Sequence, residues 1–227
     1  LAGYCYKEKF KFFIVGLLLF PVVAYSTTFN VTNADEFRQA LSDAAENGGA
    51  DIINLSAGTY KTTDDNLGTF VFLDNEDFDL TIQGDSSSTT ILDGGSLNQV
   101  LNFRVLGPDP LITINDLSVI NGYTTEDGGG IYTSENIQIN DSIFDGNTGS
   151  NGGGIAVKRE QAISITNSII RNNIATQKGG GLWDEYQSHP IINDSSFTGN
   201  QSGGGGGAIH TRSSLTINNT IIRSNVA

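Results

Sequence analysis

Two sets of side chains in the second half of the chain combine aromatic rings with charges at a regular spacing. The first set follows four glycine clusters and comprises Tyr132, Ala156, Trp183 and His210. The second set lies two positions further on and comprises Ser134, Lys158, Glu185 and Arg212. Strand alternation from the inward residues Ile131, Ile155, Leu182 and Ile209 predicts that both sets point outward.

Rings beside hydrogen-bonding charges suit sugars, because the C–H face of a sugar stacks on a ring while its hydroxyls bind polar groups. We therefore predict a ligand-binding surface formed by Tyr132, Lys158, Trp183, Glu185, His210 and Arg212. A structural interpretation is also open. Lys158, Glu185 and Arg212 could neutralise one another along the stack while Trp183 covers a neighbouring side chain, since cross-strand charge pairs are ordinary on sheets.

A repeat of about 26 residues positions these side chains. Its most regular feature is an isoleucine with spacings of 25, 26, 27 and 25 residues, found at Ile114, Ile139, Ile165, Ile192 and Ile217. Alternation such as Ile137-Gln138-Ile139 is typical of short strands, and three strands separated by turns fit one coil of a solenoid. Coils stack about 4.8 Å apart, which would place the isoleucines in one core ladder. We predict an all-β, right-handed, single-stranded parallel β-helix.

An asparagine recurs in four of these repeats, at Asn147, Asn173, Asn200 and Asn225. A single asparagine is an ordinary turn residue. Repeated at one register, it can stack and share amide hydrogen bonds from coil to coil, and we predict such a structural ladder. The glycine clusters fit positions where the backbone adopts positive φ or approaches the next coil closely.

The chain divides into three segments. Residues 1–26 run from lysines through an apolar stretch to small residues, which is typical of a secretory signal peptide; the apolar stretch is short for a transmembrane anchor. Residues 27–52 should form a strand and a capping helix, with Asn33 and Glu36 as a capping box and an apolar stripe at Phe37, Ala40, Leu41 and Ala44. This helix would cover the open end of the first coil. Residues 53–227 should form the β-helix, which we expect to be incomplete at its C-terminal end.

Charge and cysteine content restrict the possible partners. Residues 27–227 carry 9 basic and 24 acidic residues, a net charge of −15. Such a surface repels phosphate backbones, which argues against nucleic acid and anionic membrane as partners. Cys5 lies in the predicted signal peptide, so we expect no disulfide and no thiolate metal site in the mature protein. Membrane association would require an anchor outside this fragment.

Two groups of known proteins share motifs with residues 29–227. The segment from Val31 to Leu41, with Asp51–Leu55 and Ala57–Tyr60, resembles the N-terminal part of pectate-lyase-like β-helix proteins. The later part is similar to the repeats of chlamydial polymorphic outer membrane proteins, whose Gly-Gly-Ala-Ile and Phe-x-x-Asn motifs match Gly206–Ile209 and Phe144–Asn147. The second resemblance implies surface display and adhesion.

We therefore expect a secreted protein, extracellular or on the outer-membrane surface, that acts as a non-catalytic adhesion or glycan-binding module. Polysaccharide or a host or cell-surface glycan is the expected partner, and no cofactor or metal is required. The alternative is a polysaccharide lyase or another carbohydrate-active β-helix enzyme, and a lyase of this fold would use calcium. An aligned column of Asp116, Asp141 and Asp194, with Asn167 and Asn219, could bind that ion. These residues could equally be exposed strand-end residues whose mutual repulsion the asparagines relieve.

Overall fold

The computed structural model describes residues 26–64, 67–74, 78–105, 109–159, 161–186 and 188–227. The predicted signal peptide, apart from Ser26, and Cys5 lie outside these ranges. The described chain is a parallel β-solenoid of about seven coils with one short helix near its beginning. The predicted fold class is therefore confirmed.

Each coil contributes strands to parallel sheets that run along the solenoid, and strands are numbered in chain order. Sheet A contains β1 (Thr28–Val31), β2 (Asp51–Leu55), β5 (Leu80–Gly84), β8 (Leu111–Asn115), β11 (Asn136–Asn140), β15 (Ile163–Thr166), β19 (Ile191–Asn193) and β23 (Thr216–Asn218). Sheet B contains β3 (Gly58–Lys61), β6 (Thr90–Asp93), β9 (Ser118–Ile120), β12 (Ile143–Asp145), β16 (Ile169–Arg171), β20 (Ser196–Thr198) and β24 (Ile221–Arg223).

Sheet C contains β4 (Phe70–Asp74), β7 (Leu101–Val105), β10 (Ile131–Thr133), β14 (Ile155–Val157), β18 (Leu182–Asp184) and β22 (Ile209–His210). A fourth, short sheet D contains β13 (Thr148–Gly149), β17 (Ile174–Ala175) and β21 (Gln201–Ser202). Three coils therefore have a fourth strand, which the three-strand interpretation of the repeat does not include.

The inward residues of sheet A form the isoleucine ladder. Cα pairing joins Ile114, Ile139, Ile165, Ile192 and Ile217 in that order. The first four are fully buried, whereas Ile217 is 39% exposed. Ile217 departs from the prediction that every member belongs to the core, because no described strand packs on the outer side of β23.

The four recurring asparagines form a ladder of hydrogen bonds in the interior. Nδ2 of Asn147 donates to Oδ1 of Asn173 at 3.0 Å, and the same bond joins Asn173 to Asn200 at 2.9 Å and Asn200 to Asn225 at 3.0 Å. Each Oδ1 also accepts the backbone N–H of the preceding asparagine, as in the 3.0 Å bond from Asn147 to Asn173. The second amide hydrogen of Asn173 donates to the carbonyl of Phe144 at 3.0 Å. The first three asparagines are fully buried, so these bonds satisfy polar atoms that water does not reach.

Glycine is required where adjacent coils touch. Gly152 has a φ of +61°, and a Cβ on Gly153 would lie 2.4 Å from the carbonyl oxygen of Ile174 in the next coil. Any side chain at Gly153 would therefore push two coils apart.

The connection from sheet A to sheet B keeps the same length in successive coils, whereas the connection from sheet C to sheet A varies in length. In four successive coils, five positions separate the inward residue of sheet A from that of sheet B, as in Ile139 to Phe144 and Ile165 to Ile170. The segment from sheet C back to sheet A differs between coils. It spans six positions from Ile131 to Ile137 and eight from Ile155 to Ile163.

Helix α1 (Ala34–Ala44) covers the first coil. Asn33 is its N-cap, and Oδ1 of Asn33 accepts the N–H of Glu36 at 2.9 Å. Unlike in a full capping box, the Glu36 carboxylate accepts the N–H of Thr32 at 2.7 Å, one residue before the cap. The hydrogen bonds that this carboxylate accepts from the Thr32 backbone N–H and hydroxyl lower the pKa of Glu36. The apolar stripe is buried, and the Phe37 ring centroid lies 4.9 Å from that of Phe70. Within the described residues, no helix has the length and apolar character that a membrane crossing requires.

Candidate ligand-binding groove on sheet C

Sheet C brings one outward column of side chains into register. Parallel pairing aligns the residues of six successive strands, which are Val71, Asn102, Tyr132, Ala156, Trp183 and His210. The flanking inward residues Ile131, Ile155 and Leu182 are fully buried. The structure therefore places Tyr132, Trp183 and His210 on one face of the solenoid.

Several members of this column are covered, which corrects the expectation of an open aromatic surface. Ala156 is fully buried and Trp183 is only 7% exposed. The ammonium of Lys158 lies 5.8 Å from the Trp183 ring centroid and 5.9 Å from that of Tyr132, on either side of Ala156. The indole is therefore covered by the protein itself, and its face is not a free stacking platform.

The second predicted set is less uniform than alternation suggests. Lys158 and Glu185 are partly buried and Arg212 is exposed, but Ser134 is only 8% exposed. The Ser134 hydroxyl donates to Oε1 of Glu135 at 2.6 Å. Ser134 nevertheless lines a cleft together with Tyr132 and Lys158, so it lies on the predicted side of the solenoid but is largely covered.

Lys158 is held by a neighbouring carboxylate. Its Nζ lies 3.2 Å from Oδ2 of Asp127, whose Oδ1 accepts the side-chain amide of Asn151 at 2.9 Å. Partial burial lowers the pKa of Lys158, but the hydrogen bond and charge of Asp127 outweigh this effect and raise it overall. Lys158 therefore stays protonated at neutral pH and provides a fixed positive charge.

Three adjoining clefts form a groove along this face. The first has a volume of about 490 Å³ and is lined by Asn102, Arg104, Tyr132 and Lys158, among others. The second, of about 610 Å³, shares Arg104, Tyr132 and Lys158 with the first and extends to Glu185. The third, of about 200 Å³, shares Glu185 and is further lined by Lys178, Trp183, His210 and Arg212. We name these three clefts together the C groove, and all six predicted ligand-binding residues line it.

The C groove concentrates positive charge on an acidic protein. Five of the nine basic residues in the described chain line it, namely Arg104, Lys158, Arg159, Lys178 and Arg212. Its acidic residues are Glu126, Asp127 and Glu185. Outside the groove, the described chain carries four basic and 17 acidic residues. The groove is therefore net positive, whereas the remaining surface is strongly negative.

The charges of the groove neutralise one another only in part, because Lys158 pairs with Asp127 and also interacts electrostatically with Glu185. Among the described residues, the Lys158 ion pair is with Asp127, and neither Glu185 nor Arg212 lies within 4.0 Å of an opposite charge. Arg104 places its guanidinium 5.4 Å from the Tyr132 ring centroid. Arg104 and Arg212 therefore have charge available for an external anion.

His210 lies at the end of the groove beside positive charges. Burial lowers the pKa of His210, and nearby Lys178 and Arg212 lower it further, while Asp184 acts in the opposite direction. His210 is therefore neutral at pH 7 and gains a proton only under more acidic conditions.

Sequence reasoning missed Asn102, Arg104 and Asp127. Asn102 and Arg104 belong to β7, an early coil outside the regular repeat, and Asp127 lies in a loop. Extending the register of Tyr132 one coil upstream, to the segment from Val100 to Phe103, would have located Asn102.

The proposed calcium column consists of turn residues. Asp116, Asp141, Asn167, Asp194 and Asn219 all follow sheet A strands with φ between 47° and 55°. Asparagine and aspartate tolerate this left-handed backbone better than other side chains. Asn167 donates its amide to Asp141, and Asn219 donates to Asp194 at 3.2 Å, an arrangement that favours the relief of repulsion. Within the described ranges, no group of three or more His, Cys, Asp or Glu side chains is arranged to hold a metal.

Comparison with known proteins supports the fold. The model of the right-handed beta helix region matches residues 105–227, which is more than half of the chain. No curated protein and no solved structure gives a significant match, so the pectate-lyase-like and chlamydial resemblances remain predictions. The repeat, the parallel sheets and this match agree, and the chain belongs to the right-handed β-helix family.

Proposed function

We propose that this protein is a glycan-binding module that holds an acidic polysaccharide along the C groove without cleaving it. The observation that carries the proposal is the concentration of five of nine basic residues in one groove of a strongly acidic solenoid. A polyanion is repelled by the remaining surface and attracted to this groove, because the charges of a cleft act together on an approaching ligand.

The shape of the groove supports an extended ligand. It follows the stacking direction from β7 to β22, a distance of about 19 Å for four coil spacings. Tyr123 and Tyr186, 44% and 46% exposed, line its first and second clefts. Rings along a charged groove provide stacking surfaces for sugars, and these two tyrosines are more accessible than Trp183.

The cellular setting that fits this activity is outside the cell. The signal-peptide pattern of residues 1–26 and the acidic surface support a secreted or surface-displayed protein that binds polysaccharide or cell-surface glycan. Adhesion would follow from such binding if the β-helix is anchored to a surface.

Binding measurements with purified protein test this proposal. Polygalacturonate, alginate and a sulfated glycosaminoglycan serve as acidic ligands, and dextran serves as a neutral control. We expect binding to at least one acidic ligand, with no binding to dextran. This binding should weaken as salt rises, because salt screens exposed charges.

Substitutions inside and outside the groove distinguish binding at the groove from a general effect of the protein's net charge. Arg104→Gln combined with Arg212→Gln should weaken acidic-glycan binding by about tenfold or more, because charge-assisted hydrogen bonds are each worth about 1.5–3 kcal/mol. Arg223 lies on sheet B, outside the groove. Arg223→Gln removes one positive charge, as each of the two groove substitutions does, and it should leave binding unchanged. Equal losses at Arg223 and Arg104 would contradict a groove site. Formation of unsaturated product with added calcium would instead show a polysaccharide lyase.

A further inference from the structure

The charges that follow the outward column of sheet C alternate along the C groove. One residue from each of five successive coils lies two positions after that column, and we name this set the charge row: Arg104, Ser134, Lys158, Glu185 and Arg212. The first, third and fifth members are cations, the second is a hydroxyl and the fourth is a carboxylate. The other two cations of the groove, Arg159 and Lys178, lie outside the charge row.

Backbone hydrogen bonds fix the register of the charge row. In three successive coils the N–H of a row member donates to the carbonyl that precedes the row member of the coil before it, namely Ser134 to Phe103 at 3.4 Å, Lys158 to Thr133 at 2.9 Å and Glu185 to Val157 at 3.2 Å. Arg212 lines the third cleft together with Glu185. Neighbouring members therefore start one coil spacing apart, which is about 4.8 Å.

Cations in the charge row therefore recur at every second coil, about 10 Å apart. The Tyr132 ring provides a second measure, because its coil lies between those of Arg104 and Lys158. The Arg104 guanidinium lies 5.4 Å from the ring centroid and the Lys158 ammonium lies 5.9 Å from it. Both distances are close to one coil spacing, as expected for cations one coil before and one coil after the ring.

Glu185 places a negative charge between two of these cations. Its partly exposed carboxylate lines the second and third clefts. Among the described residues, it lies within 4.0 Å of neither Lys158 nor Arg212. A ligand anion located between these two cations would lie beside Glu185, and like charges that close repel each other.

The spacing of the charge row distinguishes two kinds of acidic polysaccharide. An extended chain advances by about one coil spacing per sugar, because the two bridging oxygens of a pyranose lie on opposite sides of its ring. A chain with an acidic group on every sugar would bring an anion near every coil, including that of Glu185. A chain of alternating acidic and neutral sugars would bring anions to every second coil, where the cations lie. Its neutral sugars could donate hydroxyl hydrogen bonds to the Glu185 carboxylate.

We propose that the C groove selects polysaccharides in which acidic sugars alternate with neutral ones, and that Glu185 is the specificity-determining residue that excludes an acidic group between Lys158 and Arg212. This inference rests on the proposed function and names its ligand class. It gives Glu185 a role that differs from charge balance. A carboxylate that only balanced the neighbouring cations would weaken the binding of every polyanion to the same degree.

The test compares two octasaccharides by titration calorimetry. A hyaluronan octasaccharide carries a carboxylate on every second sugar, and an oligogalacturonate octasaccharide carries one on every sugar. Glu185→Gln should strengthen oligogalacturonate binding by about threefold or more, because it removes a repulsion on the scale of an exposed charge pair. Hyaluronan binding should stay the same or weaken, since the neutral sugar at this position loses a charged acceptor.

Controls separate this effect from a general change of charge. Glu126→Gln removes the same charge from the first cleft, outside the charge row, and should change the binding of both ligands equally. Glu185→Ser introduces the side-chain type that Ser134 already has in the row, and it should repeat the effect of Glu185→Gln on oligogalacturonate. Thermal melting without ligand shows whether both Glu185 variants are folded.

The outcomes distinguish this inference from the function on which it rests. Equal changes for the two octasaccharides in Glu185→Gln would overturn the selection of alternating chains and leave the glycan-binding function in place. Failure of the unmodified protein to bind either octasaccharide would also overturn the inference, and the proposed function would then depend on the sulfated glycosaminoglycan. Absence of binding to every acidic glycan would overturn both proposals.

Discussion

The interior asparagine ladder and the outward column of sheet C both stack side chains at the coil spacing, but they do so differently. In the ladder, Asn147, Asn173 and Asn200 repeat the same side chain, and their amides are bonded from coil to coil. In the outward column each coil contributes another residue type, such as Asn102 and Tyr132. The difference indicates that repetition in this solenoid supports stability, whereas departure from repetition occurs in the column that lines the C groove.

The largest expected effect comes from interrupting the ladder. Asn173→Leu removes the acceptor of two Asn147 donors and the donor to the Phe144 carbonyl, all in the interior. At about 1–3 kcal/mol for each buried group left unsatisfied, we expect a loss of about 4 kcal/mol or more in unfolding free energy. Urea denaturation followed by circular dichroism measures it. Asn140→Leu breaks a similar amide bond to Asn115 on the outer face and should cost about 1 kcal/mol or less. Equal losses would contradict the contrast between interior and surface stacking.

A somewhat smaller effect should follow truncation of the isoleucine ladder. Ile165→Ala should cost about 3 kcal/mol, because the neighbouring coils cannot close the cavity. Ile217→Ala should cost less than half as much, since Ile217 is 39% exposed. The same denaturation measurement compares them, and a similar cost at both positions would show that burial in the ladder does not determine its stability.

The smallest expected effect concerns pH and the recognition surface. Burial and nearby cations lower the pKa of His210 from the ordinary histidine value of 6.5. His210 therefore takes up its proton at a lower pH than an ordinary histidine. Between pH 7 and pH 5 the added positive charge should strengthen acidic-glycan binding by about threefold, the scale of an exposed charge pair. Titration calorimetry at both pH values measures this change.

His210→Gln provides the control, because it removes the titrating group and should abolish the increase. The shift also affects folding. The unfolded chain takes up the proton first, so the stability associated with neutral His210 is present above pH 6.5 and declines as pH falls below it. Unchanged pH dependence in His210→Gln would assign the effect to another group.

The features that depend on strand alternation and on the repeat of about 26 residues could be predicted from the sequence. Registers such as Ile139 with Ile165, the buried stripe of α1 and the alignment of Tyr132 with Trp183 follow from alternation and repeat spacing. The burial of Trp183 could not be predicted in this way. It depends on Lys158, which reaches over the small Ala156 and lies near both rings.

The remaining parts of the groove depend on segments without a period. Asp127 fixes Lys158 from a loop, and Asn102 donates to Gln99, which lies just before β7. Such contacts are set by the loop conformations that follow from chain packing. A repeat pattern contains no information about them.

The unequal connections from sheet C to sheet A have a consequence for how this protein can change. Arg159 lies in the eight-position connection and Arg212 in a six-position one, both at the rim of the C groove. The connection from sheet A to sheet B stays at five positions across the same coils. Insertions and deletions at the rim therefore leave the ladders in register while they exchange the residues that line the groove. The lining of the C groove can therefore change by indels alone while the core stays the same.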